Sequence, residues 1–389
     1  MSNLEELIER LCPDGVEYKS LEKCCEILDK KRKPVAKSAR ISGEYPYYGA
    51  NGVQDYVSDY IFDGEFVLVG EDGSVITDKG TPVVTWASGK IWVNNHAHII
   101  SEINGVLLRY IYYYLQTVDV TIFIHGNIPK LTGKDFKSIQ LPVPPLEVQR
   151  EIVRILDNFT FLTTELAAEL AARQKQYEYY RDLLLTFKPN ESTILNERTN
   201  ELELSGTIRW MKLGDTCVLK AGKAISATEI SQNVNDDYIY PCYGGNGLRG
   251  YVKNYNQDGE HPIVGRQGAL CGNVCYACNK FYATEHAVVV SPSALYNEKF
   301  LYYLLDFARL EQYKTAGAQP GLSVARLEKV VLPVPPLEVQ QRIVDILDRF
   351  DTLCNDISSG LPAEIEARQK QYEYYRDKLL TFKELKKEA

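Results

Sequence analysis

L-P-V-P-P-L-E-V-Q, residues Leu141 to Gln149, returns unchanged as Leu332 to Gln340, 191 residues later. A second string, A-R-Q-K-Q-Y-E-Y-Y-R-D, follows each copy, from Ala172 to Asp182 and again from Ala367 to Asp377. Two long identities in the same order make the chain a tandem repeat whose period is near half of its 389 residues. Fold class, domain count and function all have to be read through that repeat.

Working outward from the prolines, Pro144-Pro145 and Pro335-Pro336 suit the first turn of a helix. Apolar residues then recur at helical spacing, as Ile152, Ile155, Leu156, Phe159, Leu162 and Leu166, and as Ile343, Ile346, Leu347, Phe350, Leu353 and Ile357. Beyond them, Leu170, Arg173, Tyr177, Tyr180, Leu184 and Phe187 follow a heptad seam. Ile365, Arg368, Tyr372, Tyr375, Leu379 and Phe382 repeat it. Two short seams in one chain are expected to pair with each other, antiparallel. Gly360-Leu361-Pro362 should break the second copy, with Pro362 restarting a helix that runs to about Lys383, whereas Ala167-Ala168 and Ala171-Ala172 let the first run through. These helices serve as a rigid spacer, as a docking site, or both.

Between the helical copies the chain is richer in strand signals. Phe66 to Val69, Val83 to Trp86 and Ile91 to Val93 are short apolar runs separated by Gly, Asn and Asp. Leu107 to Gln116 reads as a helix buried against that sheet. The second half repeats the plan less faithfully: Tyr45 to Gly52 matches Tyr240 to Gly247, and Asp63-Gly64-Glu65 matches Asp258-Gly259-Glu260. His96-Ala97 matches His286-Ala287 at a changed offset, so the first half has a longer excursion, expected around Asp78 to Gly89. The architecture read from this is α+β: two similar globular halves of mixed helix and sheet with two long antiparallel, coiled-coil-like helical regions, in a pseudo-twofold tandem. The expected divisions are 1–140 and 207–331 for the globular domains, 141–206 for the first helical region with its linker, and 332–389 for the second.

Composition bounds the function. The hydrophobic share of 45% and charged share of 25% are those of an ordinary globular protein. No apolar run approaches the ~20 residues that span a bilayer, and the acidic, amphipathic N-terminus is unlike a secretory leader, so a cytoplasmic protein is expected. The net charge of −8 is unfavourable for nucleic acid at first sight. The acidity, however, belongs to the helical copies and the first fourteen residues, and both globular stretches are near neutral. Nine cysteines follow no disulfide framework. Cys271, Cys275 and Cys278 offer only one C-x-x-C pair where a structural zinc site usually has two, so no metal is expected.

Enzyme signatures are missing from the sequence. There is no phosphate-binding loop, no H-E-x-x-H, no G-x-S-x-G, and no N-P-P-Y or D-P-P-Y methyltransferase motif. Gly70-Glu71-Asp72-Gly73 reads as a hairpin turn. A binding protein fits better than a catalyst.

The doubled L-P-V-P-P-L-E-V-Q, with I-V-x-I-L-D-x-F and R-Q-K-Q-Y-E-Y-Y-R-D behind it, resembles the two conserved regions of specificity subunits of type I restriction-modification systems. The globular halves, with Gly43 to Gly52 and Gly265 to Val274, resemble that family's target recognition domains. The resemblance covers nearly the whole chain. It implies two DNA-reading domains, docking of two methyltransferase (modification) subunits, and two restriction/translocase subunits added for cleavage. S-adenosylmethionine and ATP would belong to those partners, with no cofactor in this chain. Two other readings stay open: a specificity subunit of a type IIB-like enzyme, and an assembly scaffold whose domains do not read DNA.

On this view a helix from Pro362 to about Lys383, roughly 33 Å at ~1.5 Å per residue, is a ruler of about one turn of B-DNA between the parts of an asymmetric target. Base or phosphate contacts are expected from loop residues. In the first half these are Lys30, Lys31, Arg32, Lys33, Lys37, Arg40 and Lys90, with Asn51 and Asp72 as base contacts. In the second they are Lys223, Asn246, Arg249, Arg266 and Gln267, the last two suited to guanine and adenine. The lysine loop from Lys30 can equally be a solubilising loop. Asn51 and Asn246, each before a glycine, are more natural turn formers, and His96 and His286 are expected to be structural residues on strands.

Overall fold

The computed structural model describes residues 2–73, 75–124, 129–187, 208–268, 270–315, 321–356 and 358–385. Gly126, Ile357 and the linker after the first helical region lie outside the described residues. In the first half the elements run α1 (Ser2–Leu11), β1 (Glu17–Ser20), β2 (Glu26–Ile27), β3 (Ser42–Gly49), β4 (Gly52–Val57), β5 (Phe62–Gly70), β6 (Val84–Val93), β7 (Ala97–Ser101), α2 (Leu108–Leu115), α3 (Gly133–Ser138), β8 (Gln140–Val143) and α4 (Leu146–Leu185). The second half gives β9 (Arg209–Lys212), α5 (Leu213–Thr216), β10 (Cys217–Ala221), β11 (Tyr240–Gly244), β12 (Gly247–Val252), β13 (Gln257–Asp258), β14 (His261–Gly265), β15 (Val274–Ala277), β16 (Lys280–Ala283), β17 (Ala287–Pro292), α6 (Glu298–Phe307), α7 (Val324–Leu327), β18 (Val331–Val334), α8 (Leu337–Asn355) and α9 (Leu361–Leu379).

Two compact units emerge. One comprises residues 1–167 with 364–389, the other 168–363, so each unit takes part of both helical regions. The first unit holds a six-stranded sheet in the order β2-β7-β5-β6-β3-β4. Strand alternation builds a core on each face: Val67 and Val69 join α2 and the opening of α4, while Phe66 and Leu68 join Ile91, Val93 and Ile99. Such a central strand reads as a continuous apolar run because both of its faces are covered. In the second unit the order is β10-β17-β14-β15 and β12-β11-β16-β13, the same sequence of strands with the central ribbon interrupted. The longer excursion of the first half lies at 71–83, against 266–273 in the second, and so precedes Gly89, which stands inside β6.

The repeated nonapeptide joins sheet to helix. Gln149 is fully buried, donates from Nε2 to the carbonyls of Pro144 (2.8 Å) and Gly105 (3.1 Å), and accepts from the Leu107 amide (2.9 Å). Gln340 repeats this with Pro335 and Leu295 (both 2.8 Å) and the Asn297 amide (2.8 Å). An arginine or lysine with a tyrosine then grips one aspartate: Arg109 and Tyr113 on Asp157, Lys299 and Tyr303 on Asp348. Gln149 and Gln340 are both fully buried, and their polar atoms must be satisfied, which holds the two copies to the same residue.

α4 runs unbroken for 40 residues, and the second copy breaks between Asn355 and Leu361, as its glycine and proline require. Helix pairing is antiparallel within each unit. Tyr18, beside β8, donates to the Phe382 carbonyl, whereas Tyr372 and Tyr375 lie on Phe159 farther along α4. In the second unit Tyr177 and Tyr180 pack on Phe350, and Phe187 on Phe300. Within its own unit, each seam therefore finds its aromatic partner in the opening half of the opposite copy. Leu184 and Phe187 enter the second unit's core, and Leu379 and Phe382 the first's. α9 ends at Leu379, short of Lys383, because the chain there turns extended: Val16 donates to the Lys383 carbonyl and Leu385 to that of Val16, both at 2.9 Å.

Candidate nucleic-acid interface

Three loops meet at one end of the first sheet. The β3–β4 turn brings Ala50 and Asn51, the loop after β5 brings Asp72 and Gly73, and the β6–β7 turn brings His96. Gln54 and Lys130 complete an open cleft. Parallel pairing sets the end of β3 beside the end of β6, antiparallel pairing sets Gly70 of β5 opposite Ala97 of β7, and side-chain bonds fix the loops. His96 Nδ1 is hydrogen-bonded to Asp72, its amide donates to Asn94 Oδ1 (2.8 Å), and Asn94 Nδ2 donates to Gln54 Oε1 (3.2 Å). Lys130 Nζ stands 3.5 Å from Glu71 and 4.0 Å from Asp72.

The second unit has the matching cleft, lined by Gly244 to Arg249, Gln267, Gly268 and His286. His286 Nδ1 is bonded to Gln267 as His96 is to Asp72, and Nε2 lies 3.3 Å from Glu285. The Arg266 amide donates to the His286 carbonyl at 2.9 Å, as Glu71 does to His96 at 2.8 Å. Gly265 allows this approach, since a Cβ there would sit 2.0 Å from the Gly245 carbonyl oxygen. Asn51, Asp72 and His96 thus correspond to Asn246, Gln267 and His286. Where Asn94 has partners, the buried Thr284 hydroxyl has none among the described residues. Arg249 takes the place of Gln54, exposed, with no carboxylate within 4 Å among the described residues.

Both histidines stand in turns just ahead of β7 and β17, not on strands. With side chains 47% and 42% exposed they belong to the cleft, not the core. Sequence reading missed this role, and also missed Gln54 and Lys130. The usable signal was a pair of matched histidines at the edge of the diverged segment.

The cations divide into two groups. Lys30, Lys31, Lys33, Lys37, Lys90 and Lys223 are exposed. Arg32 turns inward instead, 2.7 Å from Glu71 and 3.4 Å from Asp29, and donates to the Ala97 carbonyl at 2.6 Å. Arg40 bonds Asp55 at 3.2 Å and the Val35 carbonyl at 3.1 Å, with its guanidinium 4.1 Å from the Tyr47 ring centre. Asp29, Glu71 and His98 form a converging group of potential metal ligands, but the Arg32 guanidinium supplies their counter-charge. Burial pulls the Asp29 carboxyl up, yet hydrogen bonds from His98 and the Ile99 amide, with Arg32 nearby, hold it below the usual carboxylate range. Cys271 is buried and Cys278 exposed. No helix among the described residues is long and apolar enough to cross a membrane.

The family model described as the type I restriction modification DNA specificity domain matches residues 13–173 and again 207–367. The chain belongs to that family. A putative type I restriction enzyme specificity subunit of Haemophilus influenzae is 36% identical over 98% of this chain and 100% of its own length. The EcoprrI specificity subunit of Escherichia coli is 47% identical over 57% of this chain and 55% of its own. The crystal structure of a type I S subunit from M. genitalium shares the fold, with a TM-score of 0.62 and 17% identity over 94% of this chain and 96% of that one. As a type I specificity subunit, the chain has a DNA-recognition role, and its two family domains are the two repeats read from the nonapeptide.

Proposed function

We propose that this specificity subunit reads an asymmetric, two-part DNA target, one part per globular domain, and carries out no chemistry itself. One observation carries the reading: the two domains present matched clefts whose frames agree and whose protruding side chains differ. Asp72 only accepts hydrogen bonds when ionised, which suits the amino group of cytosine or adenine. Gln267 accepts and donates, which suits adenine, while Arg249 and Arg266 suit guanine O6 and N7. Asn51 and Asn246 stand at the two rims. Lys30, Lys31, Lys33 and Lys37 with Lys223 contact phosphates and orient the protein without reading sequence. Arg32 and Arg40 hold the lysine loop from behind.

The helical regions set the gap between the two parts and dock two modification subunits. Two restriction/translocase subunits join them for cleavage, and S-adenosylmethionine and ATP are used by those partners, in the cytoplasm.

Methylome mapping after co-expression with cognate modification subunits tests this. A single gapped, asymmetric motif carrying N6-methyladenine on both strands is expected. Exchanging residues 15–140 for those of a relative should alter one half of it only. An assembled complex that yields no motif would instead favour a scaffold that does not read DNA.

A further inference from the structure

Lys90 and Lys280 occupy the same place in the two domains. Lys90 on β6 lies opposite Asp63 of β5, and Lys280 on β16 opposite Asp258 of β13. Each follows a residue in the left-handed region, Gly89 at φ 78° and Asn279 at φ 59°. Lys90 Nζ stands 4.7 Å from the Tyr60 ring centre and 6.0 Å from that of Tyr45, whose rings are 5.1 Å apart. Lys280 Nζ stands 4.7 Å from the Tyr255 ring centre, and Tyr255 lies 5.1 Å from Tyr240. The surroundings have changed: Asp59, Ile61 and Phe62 became Asn254, Asn256 and Gln257. Both lysines are exposed, and neither has a carboxylate within 4 Å among the described residues.

We propose that Lys90 with Tyr45 and Tyr60, and Lys280 with Tyr240 and Tyr255, are twin phosphate clamps that grip the DNA backbone alike in both half-sites. The proposal rests on the DNA-reading assignment above. A duplicated reader keeps what its two half-sites have in common, and what any two half-sites have in common is the sugar-phosphate backbone, not the base edges. Each cluster offers an ammonium and a phenol O–H, all donors, to one anion. Stacking over a ring fixes the long lysine stem beforehand, so less side-chain freedom is lost on binding. The tyrosine charges, Tyr60 first, hold Lys90 above the ordinary lysine range, and the hydrogen bond to Tyr255 does so first for Lys280. Tyr45 and Asn51 lie along one strand and its turn, about 20 Å apart at ~3.3 Å per residue, so clamp and cleft share a support.

The salt dependence of DNA binding by the complex with its modification subunits decides the matter. Wild type is measured first on target and unrelated duplexes; if it binds neither, the DNA-reading assignment falls, and the clamps with it. If it binds, Lys90→Ala should lessen the slope of log K against log salt by about 0.9, and Lys90→Ala with Lys280→Ala by about 1.8. The methylation motif should stay the same. Lys90→Arg should keep the slope, and Tyr60→Phe, which retains the ring, should weaken binding several-fold at unchanged slope. A folded double variant with the wild-type slope overturns the clamps, as does one that loses thermal stability alone, which would mark the lysines as struts.

Discussion

In the first domain the β5–β6 ribbon pairs without interruption from Phe62–Ile91 to Val69–Val84, whereas in the second the same ribbon is split into β13–β16 and β14–β15. Strand order survives the split, and so do the turn histidines and the glycine that lets the loops touch. What changes is what protrudes: Asp72 beside Lys130 in one cleft, Arg249 and Gln267 in the other. Frame and contents have diverged at different rates. The frame is fixed by buried atoms that have no alternative partner, while the contents face solvent and can vary without loss of fold.

The largest effect should come from breaking what the domains share. Gln149→Leu strands the Leu107 amide and two carbonyls, and Gln340→Leu strands the Asn297 amide and two others. Each orphaned buried group costs about 1–3 kcal/mol and solvent recovers part of it, so a loss on the order of 3 kcal/mol is expected. Hydrogen exchange should show the loss in the domain that carries the substitution, and of similar size for both. A large inequality would show that the identical nonapeptides do unequal structural work.

Smaller, but more telling for function, is an exchange of what the domains do not share. Asp72→Gln and Gln267→Asp each place one cleft's residue in the other. A misread base contact costs about 1–3 kcal/mol, so each variant should change the methylated motif at one base pair, in opposite halves. Fold should be unaffected, since both side chains lie at the surface end of their histidine bond. If motif mapping shows neither half altered, the clefts are not where bases are read.

The repeat, the helical copies, the break at Gly360 and the short apolar strands were all legible in the sequence, because each follows from local spacing or from identity between copies. The clefts were legible only in part. Asn51, Asp72, Asn246 and Gln267 lie at Gly-bounded turns that composition marks as loops, but which turns meet depends on strand order, which no local pattern encodes. For the same reason Arg32 and Arg40 looked like free cations: their partners Glu71 and Asp55 are remote in sequence. His96 and His286 were misplaced because strand-forming residues run up to them on both sides. The seams were recognised by their heptads, yet a heptad names the face that is buried and not the helix that buries it.

Acid offers the mildest test of the same comparison. Only the first domain has Asp29 tied to His98 (2.7 Å), the Ile99 amide (3.0 Å) and Arg32; Ala224 and Val288 stand at the corresponding positions of the second. The Asp29 carboxyl is held below its ordinary range in the folded protein. Its contribution is therefore fully present above the unfolded value of about 3.9 and is lost as pH falls through the lower folded value. Below pH 4 the amides of Ile99 and Ile100 should lose protection sooner than those of Val289 and Val290. Asp29→Asn, which cannot ionise, should remove that difference while weakening the first domain at neutral pH. Equal loss in both domains would mean that the acid limit is not set at Asp29.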